Sequence, residues 1–234
     1  MASEELALTY LRRKELFYMD MLEPLRRGSA QLLYAADDGV LLYDRLGEVH
    51  MLTARDHAAL EKMLERMPVC DILVGHELWC KDELAARFGL KTEQICRQAG
   101  WTAPQPPQAV PFDGSLQLLT PEWAPYVYQH YSHAFGGVAY MEGAIRRGML
   151  GAFVGQTLAG FVGFHSEGTI GMLEVLPAYR RRGLGEVLLR GVVRLALERG
   201  QYAFGQVFID NAPSLALQQK VGMSVSDEIL YWLF

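Results

Sequence analysis

Apolar and polar residues alternate along the N-terminal half of the chain in short blocks. The stretch QLLYAADDGVLLYDRLGEVHMLTA interrupts its apolar runs at Asp-Asp-Gly and Leu-Gly, which predicts a small β-meander. Four apolar residues then follow at the spacing of one helical face: Leu60, Met63, Leu64 and Met67. Later blocks predict a short buried strand at CDILVGH, a helix that ends at Gly89 and a strand at KTEQICRQAGW. We expect this half to be α+β.

The C-terminal half continues the pattern with longer helical segments. Strand-like runs occur at LQLL, at GAFVGQTLAGFVGFH with a hairpin turn, at GTIGMLEVLP, at YAFGQVFI and at EILYWLF. Helical patterns occur at TPEWAPYVYQHY, GVAYMEGAIRRG, GEVLLRGVVRLALERG and APSLALQQKVG. The predicted order of elements is β-α-α-β-β-β-α-β-α-β.

Prolines mark the boundary between the two halves. The stretch TAPQPPQAVPFDGS is rich in proline, which excludes regular helix and sheet and stiffens the backbone toward polyproline II. We therefore predict an N-terminal α+β domain over residues 1–103, a linker over 104–115 and a second domain over 116–234.

Composition narrows the class of protein. Of the 234 residues 50% are apolar and the formal net charge is −5, which favours a globular protein and argues against a general nucleic-acid binder. The cysteines, Cys70, Cys80 and Cys96, have no paired spacing, which indicates free thiols in a reducing compartment. The N-terminal residues lack the apolar core of a signal peptide, and no later stretch is apolar enough for a membrane span. We expect a cytoplasmic protein without a nucleic-acid or membrane partner.

One strand-to-helix junction combines arginines with glycines. In LEVLPAYRRRGLGEVLL, Arg180, Arg181 and Arg182 precede Gly183 and Gly185. The first N–H groups of a helix have no partner inside the helix, so they bind anions, and the helix dipole adds positive potential. Glycine lets a phosphate approach the backbone, and arginine supplies forked donors. The junction is a candidate site for a phosphorylated ligand, although a solvated turn has the same composition and the spacing is not that of a P-loop or a dinucleotide fingerprint.

The same stretch resembles the signature of the GNAT superfamily of N-acyltransferases, in which a hydrophobic residue, Val, Pro and Arg precede Gly-x-Gly. A second stretch, VFIDNAPSLALQQKVGM, is similar to the family's strand, Asn-x-x-Ala/Ser and short helix. The resemblance covers residues 116–234. It implies an α/β (α+β) fold with a mixed, mostly antiparallel central sheet flanked by helices, here preceded by a smaller α+β domain.

The resemblance also implies which residues bind an acyl-CoA, most commonly acetyl-CoA. Backbone groups of Leu173, Glu174 and Val175 would pair with the pantetheine arm, and Asn211 would lie beside it. The implied pyrophosphate site uses main-chain N–H groups and arginine charge, and it consists of Arg180, Arg181, Arg182, Gly183, Leu184, Gly185 and Glu186.

The implied reaction is direct transfer of the acyl group from the thioester to an amine, with a base for the amine proton and an acid for the thiolate. The positions where relatives carry a catalytic tyrosine or glutamate hold Gln218, Gln206 and Gly171. Glu174 is our candidate base, and a structural carboxylate paired with an arginine is an equal alternative. Four residues are reserve candidates that are better explained as packed aromatic or edge residues: Tyr131, Tyr140, His165 and Tyr231.

We predict an acyl-CoA-dependent N-acyltransferase whose acceptor is a primary amine of a small molecule or of a protein. The alternative is a CoA-binding protein without catalysis, which the missing tyrosine and glutamate favour. We expect one acyl-CoA site per chain, because the N-terminal half lacks Arg-x-x-Gly-x-Gly; that half is a degenerate repeat or a cover for the acceptor pocket. His130 and His133 lack further ligands at suitable spacing, so we expect no metal site.

Overall fold

The computed structural model describes residues 3–133 and 136–234. Within these ranges the helices are α1 (Glu4–Leu11), α2 (Met19–Arg26), α3 (His57–Leu64), α4 (Lys81–Phe88), α5 (Ala124–His130), α6 (Gly137–Gly148), α7 (Leu184–Glu198) and α8 (Ala212–Val221). The strands are β1 (Ala30–Ala36), β2 (Gly39–Asp44), β3 (Val49–Ala54), β4 (Leu73–Gly75), β5 (Glu93–Gly100), β6 (Ser115–Leu118), β7 (Leu150–Val154), β8 (Thr157–Phe164), β9 (Ile170–Val175), β10 (Phe204–Phe208) and β11 (Ser224–Leu233). The C-terminal half therefore follows the predicted order of strands and helices.

The chain divides into two compact units. The first consists of Met1–Ala99, Gln206–Ala212 and Val225–Phe234. The second consists of Gly100–Gly205 and Pro213–Ser224. The predicted domains are continuous segments of the chain, whereas each of these units combines separate segments. The closing strand β11 joins the first unit because its last residues pair antiparallel with β4.

The first unit is built on a seven-stranded sheet with the order β1-β2-β3-β4-β11-β5-β10. The meander predicted from the turn residues forms β1 to β3, which pair antiparallel. Helix α3 begins at Asp56, whose side chain accepts a hydrogen bond from the Ala59 N–H, and α4 ends at Gly89 in the left-handed conformation. The predicted apolar face is buried in the core of this unit: Leu60, Met63 and Leu64 belong to α3, and Met67 follows the end of the helix.

Polar side chains of His76 and Glu77 bond the backbone of β3 beyond its parallel pairing with β4. The ladder ends at the pair of Leu52 with Gly75. Beyond it, His76 Nδ1 lies 2.8 Å from the Leu52 carbonyl, and the Ala54 N–H donates to a Glu77 carboxylate oxygen over 3.0 Å. Two backbone groups at the end of β3, the Leu52 carbonyl and the Ala54 N–H, are thus bonded to side chains of the same unit.

The second unit contains a four-stranded antiparallel sheet with the order β6-β7-β8-β9. The predicted hairpin is β7 and β8, which turn through Gly155 at φ 59. Helix α7 buries one face, formed by Leu184, Val187, Leu188, Leu189, Val192, Val193 and Ala196. Helices α5 and α6 contribute to a separate core cluster with Phe161 of β8 and Met172 of β9. The antiparallel sheet flanked by helices confirms the predicted fold class.

Candidate functional site

Strand β9 is the outer strand of the four-stranded sheet, and it contains a β-bulge. Phe161 of β8 pairs with Glu174, and Gly163 pairs with Gly171, so β9 carries one more residue than β8 between these two pairs. Met172, inside the bulge, has φ 54. An extra residue shifts the alternation of side chains along a strand. Gly171 and Glu174, which lie three residues apart, therefore face the same side of the sheet as Phe161.

The loop between β9 and α7 forms a concave cluster of backbone N–H groups. Arg181 has φ 62 and Gly183, the residue before the helix, has φ 80. Across the described parts of the chain, no hydrogen-bond acceptor contacts the backbone N–H groups of residues 181–185; pairing begins at Glu186, whose N–H donates to the Gly183 carbonyl over 3.0 Å. Successive N–H groups in such a conformation, at the start of a 15-residue helix, form an anion-binding nest.

Two of the three arginines of the loop contact neighbouring residues in different ways. Arg180 is turned toward β9, where its Nε donates to the Val175 carbonyl over 2.9 Å and its Nη2 lies 3.2 Å from Glu174 Oε1. The Arg182 guanidinium lies 5.5 Å from the ring centre of Tyr179. The Val175 carbonyl, which the family resemblance assigns to pantetheine, is thus bonded to Arg180 in this structure.

Glu174 links the loop to the end of α5. Its Oε2 accepts hydrogen bonds from the Ser132 hydroxyl over 2.9 Å and from the Ser132 N–H over 3.3 Å, while Arg180 contacts its other oxygen. The Glu174 side chain is 12% exposed and that of Arg180 is 57% exposed. The pair with an arginine matches the structural alternative stated for Glu174, and its role as a base stays a prediction.

Aromatic side chains from α5, α6 and the end of β8 lie on the same face as Glu174. Burial, together with the nearby Tyr140 and Glu174, raises the pKa of Tyr131 to about 12. The Tyr140 hydroxyl lies 3.0 Å from His165 Nδ1. Burial also lowers the pKa of His165 below its usual value. A protonated phenol and a neutral imidazole therefore sit beside the bulge of β9.

The remaining predicted residues lie in different places. Leu184 is buried and Gly185 contacts Leu217 of α8 closely enough that an added Cβ would lie 3.4 Å from it. The Glu186 carboxylate pairs with Arg190 at 3.0 Å and with Lys220 at 2.7 Å, and these partners lower its pKa.

Asn211 and Tyr231 belong to the first unit. Asn211 lies in the turn after β10, where its N–H donates to the Phe208 carbonyl over 3.0 Å. Tyr231 is fully buried, packs on Gly75 and places its hydroxyl 3.5 Å from Cys80 Sγ. Tyr231 is thus a core residue.

Two of the contacts at this site have no signal in the sequence. Ser132 follows α5 in a polar turn of ordinary composition, and the β9 bulge depends on pairing with β8, which single-strand periodicity does not report. Within residues 3–133 and 136–234, no group of three or more potential metal ligands occurs, and no helix there is long and apolar enough to cross a bilayer.

Comparisons with known proteins agree with this geometry. Residues 115–223 match the family model described as the acetyltransferase (GNAT) family. This stretch of the chain is therefore similar to the GNAT family. The general chemistry of that family is acyl transfer from an acyl-CoA.

Solved structures share the fold over nearly the whole chain. A Drosophila protein, determined as a structural genomics target, has 18% identity and a TM-score of 0.73, and the match covers 98% of this chain and 94% of that one. A GCN5-related N-acetyltransferase from Kribbella flavida has 12% identity and a TM-score of 0.58, with 94% and 93% covered. One from Sphaerobacter thermophilus has 16% identity and a TM-score of 0.54, with 98% and 90% covered. No curated protein matches the chain. At these identities the likeness concerns the fold.

Proposed function

We propose that this protein is an acyl-CoA-dependent N-acyltransferase that moves an acetyl group to a primary amine of a small molecule or of a protein. One observation carries the proposal: the N–H groups of residues 181–185 form a nest at the start of α7, directly after the outer strand β9. A nest that binds the diphosphate and an outer strand that pairs with pantetheine would together hold an acyl-CoA. Three buried free cysteines support a cytoplasmic location.

Each part of the site has a defined task in this proposal. A bound acyl-CoA supplies the thioester whose acyl group is transferred. Arg181 and Gly183 hold the nest in the left-handed conformation that turns its N–H groups toward one point. The backbone of Leu173 and Val175 pairs with pantetheine once the Arg180 side chain leaves the Val175 carbonyl. For Asn211 the role implied by the family resemblance, a place beside the pantetheine, stays a prediction.

Two groups on the α5–α6 face of β9 are candidates to take the amine proton. Glu174 is the proposal made from the sequence, and its carboxylate is close to the bulge of β9. His165 is the second, and the bulge brings it to the same face as Glu174.

The second candidate function is CoA binding without catalysis. The position at which some relatives carry a glutamate base holds Gln206, whose amide donates to Asp20 over 3.3 Å and accepts from Trp232 over 2.6 Å. Gln218, where many relatives carry a tyrosine acid, is buried in α8. Neither side chain ionises, which favours a site that binds and does not transfer.

The experiment that tests the proposal follows both products of transfer. The full chain is incubated with acetyl-CoA and a panel of small amines, amino acids and lysine peptides, and mass spectrometry measures free CoA and acetylated amine. We expect at least one amine to yield equal amounts of both. Acetyl-CoA binding without amine-dependent CoA release would favour the binding protein, and absence of acetyl-CoA binding would contradict both functions.

A further inference from the structure

We propose that His165 is the catalytic residue that takes the proton from the acceptor amine. This inference rests on the proposed N-acyltransferase function, and it competes with the sequence-based assignment of Glu174. It is carried by the position of the imidazole over the bulged strand β9, by the contact that orients the ring, and by the donors that already surround the alternative carboxylate.

The His165 ring occupies the space of a missing side chain on β9. Gly171 has no Cβ, and a Cβ added there would overlap His165 Nε2. The His165 backbone is fixed by two hydrogen bonds of the β8–β9 turn, from its own N–H to the Thr169 carbonyl over 2.9 Å and from the Gly168 N–H to its carbonyl over 3.1 Å. Gly171 is the position from which some relatives are expected to project a catalytic group. Here a histidine of the neighbouring turn reaches the same place.

The bulge in β9 places the His165 imidazole on the same face of the sheet as Glu174. Gly171 and Glu174 point to the same face only because β9 carries an extra residue between them. His165 Nε2 therefore lies on the side of β9 that carries Glu174 and Tyr131, against Gly171, which precedes the backbone of Leu173 by two residues. In the proposed function that backbone holds the thioester end of the pantetheine.

Tyr140 of α6 orients the ring. Its hydroxyl is 3.0 Å from Nδ1, and a hydrogen bond from Nδ1–H to that oxygen leaves the lone pair of the neutral imidazole on Nε2. The charged and titratable groups around the ring are Tyr140 and Arg147 of α6 and Glu167 of the β8–β9 turn. Burial and Arg147 lower the pKa of His165, whereas Glu167 raises it, and the net direction is down. The imidazole is neutral at pH 7 and able to accept a proton.

Glu174 is placed differently. Both of its carboxylate oxygens already accept hydrogen bonds, one from Ser132 and the other from Arg180. These contacts connect the end of α5 to the loop before α7. Glu174 is therefore a positioning residue for Arg180 in this account.

In the proposed step His165 takes one proton, a C–N bond forms and the thioester C–S bond breaks. His165 Nε2 accepts a proton from the ammonium form of the acceptor, and the freed nitrogen lone pair forms the C–N bond to the acyl carbon. The C–S bond breaks and its electron pair stays on sulfur. The second proton of the nitrogen passes to the thiolate through water, and the imidazolium returns its proton to solvent.

Three variants test the proposal with an amine that the panel identifies as an acceptor. His165→Gln removes the base and should lower kcat by about a hundred- to ten-thousand-fold with acetyl-CoA affinity within about twofold. Gly171→Ala keeps every ionisable group but displaces the imidazole, and should lower kcat in the same direction. The control His57→Gln changes a histidine whose side chain is 73% exposed and should behave as wild type.

Two further readouts separate a base from a structural residue. The acid limb of the wild-type rate profile, measured with an amine of low pKa, should lie below pH 6.5, the ordinary histidine value, and should be absent in His165→Gln. In the ligand-free protein, NMR of labelled histidine should show Nδ1 protonated in His165, and Tyr140→Phe should change that signal.

The outcomes are distinguishable. Turnover of His165→Gln within a few-fold of wild type, in a folded variant that binds acetyl-CoA, would overturn the role of His165 and leave the proposed function intact. Binding of acetyl-CoA by wild-type protein with no transfer to any amine would overturn the proposed function, and the base with it.

Discussion

Replacement of Gly183 by valine is expected to separate acyl-CoA binding from folding. Gly183 has φ 80, and a Cβ added there would meet no atom within 4 Å. Valine therefore fits the space but not the backbone conformation, because a left-handed conformation costs an L-residue about 1–2 kcal/mol. A domain of this size should lose about 2–8 °C in Tm.

The effect on binding should be larger than the effect on stability. The nest needs Gly183 in the left-handed conformation to turn its N–H groups toward the phosphates, and the valine side chain also blocks their approach. Hydrogen bonds to a charged group contribute about 1.5–3 kcal/mol each, so loss of two weakens binding by about 3–6 kcal/mol. That corresponds to about a 10²- to 10⁴-fold increase in the Kd for acetyl-CoA.

Gly155→Val is the matched control for the cost of the backbone conformation. Gly155, in the β7–β8 turn, has φ 59 and also no atom within 4 Å of an added Cβ. Gly155→Val should show a similar loss in Tm and an unchanged Kd for acetyl-CoA by calorimetry or thermal shift. If Gly183→Val binds acetyl-CoA as tightly as Gly155→Val does, the assignment of the nest as the phosphate site is wrong.

The other expected outcomes concern Glu174 and the buried pair of the first unit. Glu174→Gln should keep acetyl-CoA affinity and turnover within about tenfold of wild type, because an ion pair whose arginine side chain is 57% exposed contributes about 0–1 kcal/mol; a loss of a hundredfold in kcat would restore Glu174 as the base. His76 Nε2 lies 3.1 Å from Asp20, and although burial lowers the pKa of His76, the Asp20 carboxylate raises it overall. A raised folded pKa contributes stability that is present below the unfolded value of about 6.5 and is lost as the pH rises through the folded value. The wild-type Tm should therefore fall more above pH 6.5 than that of Asp20→Asn, and parallel curves for the two proteins would contradict the pairing.

Most of the elements of this fold were predictable from periodicity and turn residues. The meander, the apolar face of α3, the hairpin at Gly155 and the helix that ends before Gly200 all occur where the sequence places them. The residues before the meander show no pattern that predicts an element, yet they form α1 and α2. The apolar residues of these short helices are packed by tertiary contacts, and tertiary contacts outweigh weak intrinsic helix propensity.

Long-range pairing explains what the sequence does not show. The apolar run of β11 predicts a closing strand, yet its place between β4 and β5 depends on strands far away in the chain. The turn before α7 was predictable, because glycines at a strand-to-helix junction indicate it from local chemistry alone, and anion binding there stays a prediction. The place of His165 over Gly171 was not, because it needs the bulge in β9 and the pairing of β8 with β9.

Calorimetric titration of the full chain with acetyl-CoA counts the acyl-CoA sites and tests the proposed phosphate site. We propose one phosphate site, at the N–H nest of the second unit, whereas in the first unit His76 and Glu77 bond backbone groups of β3 beyond the β3–β4 ladder. We predict that binding saturates at one acetyl-CoA per chain and that Gly183→Val loses this binding. A stoichiometry of two per chain, or the absence of any binding, would contradict it.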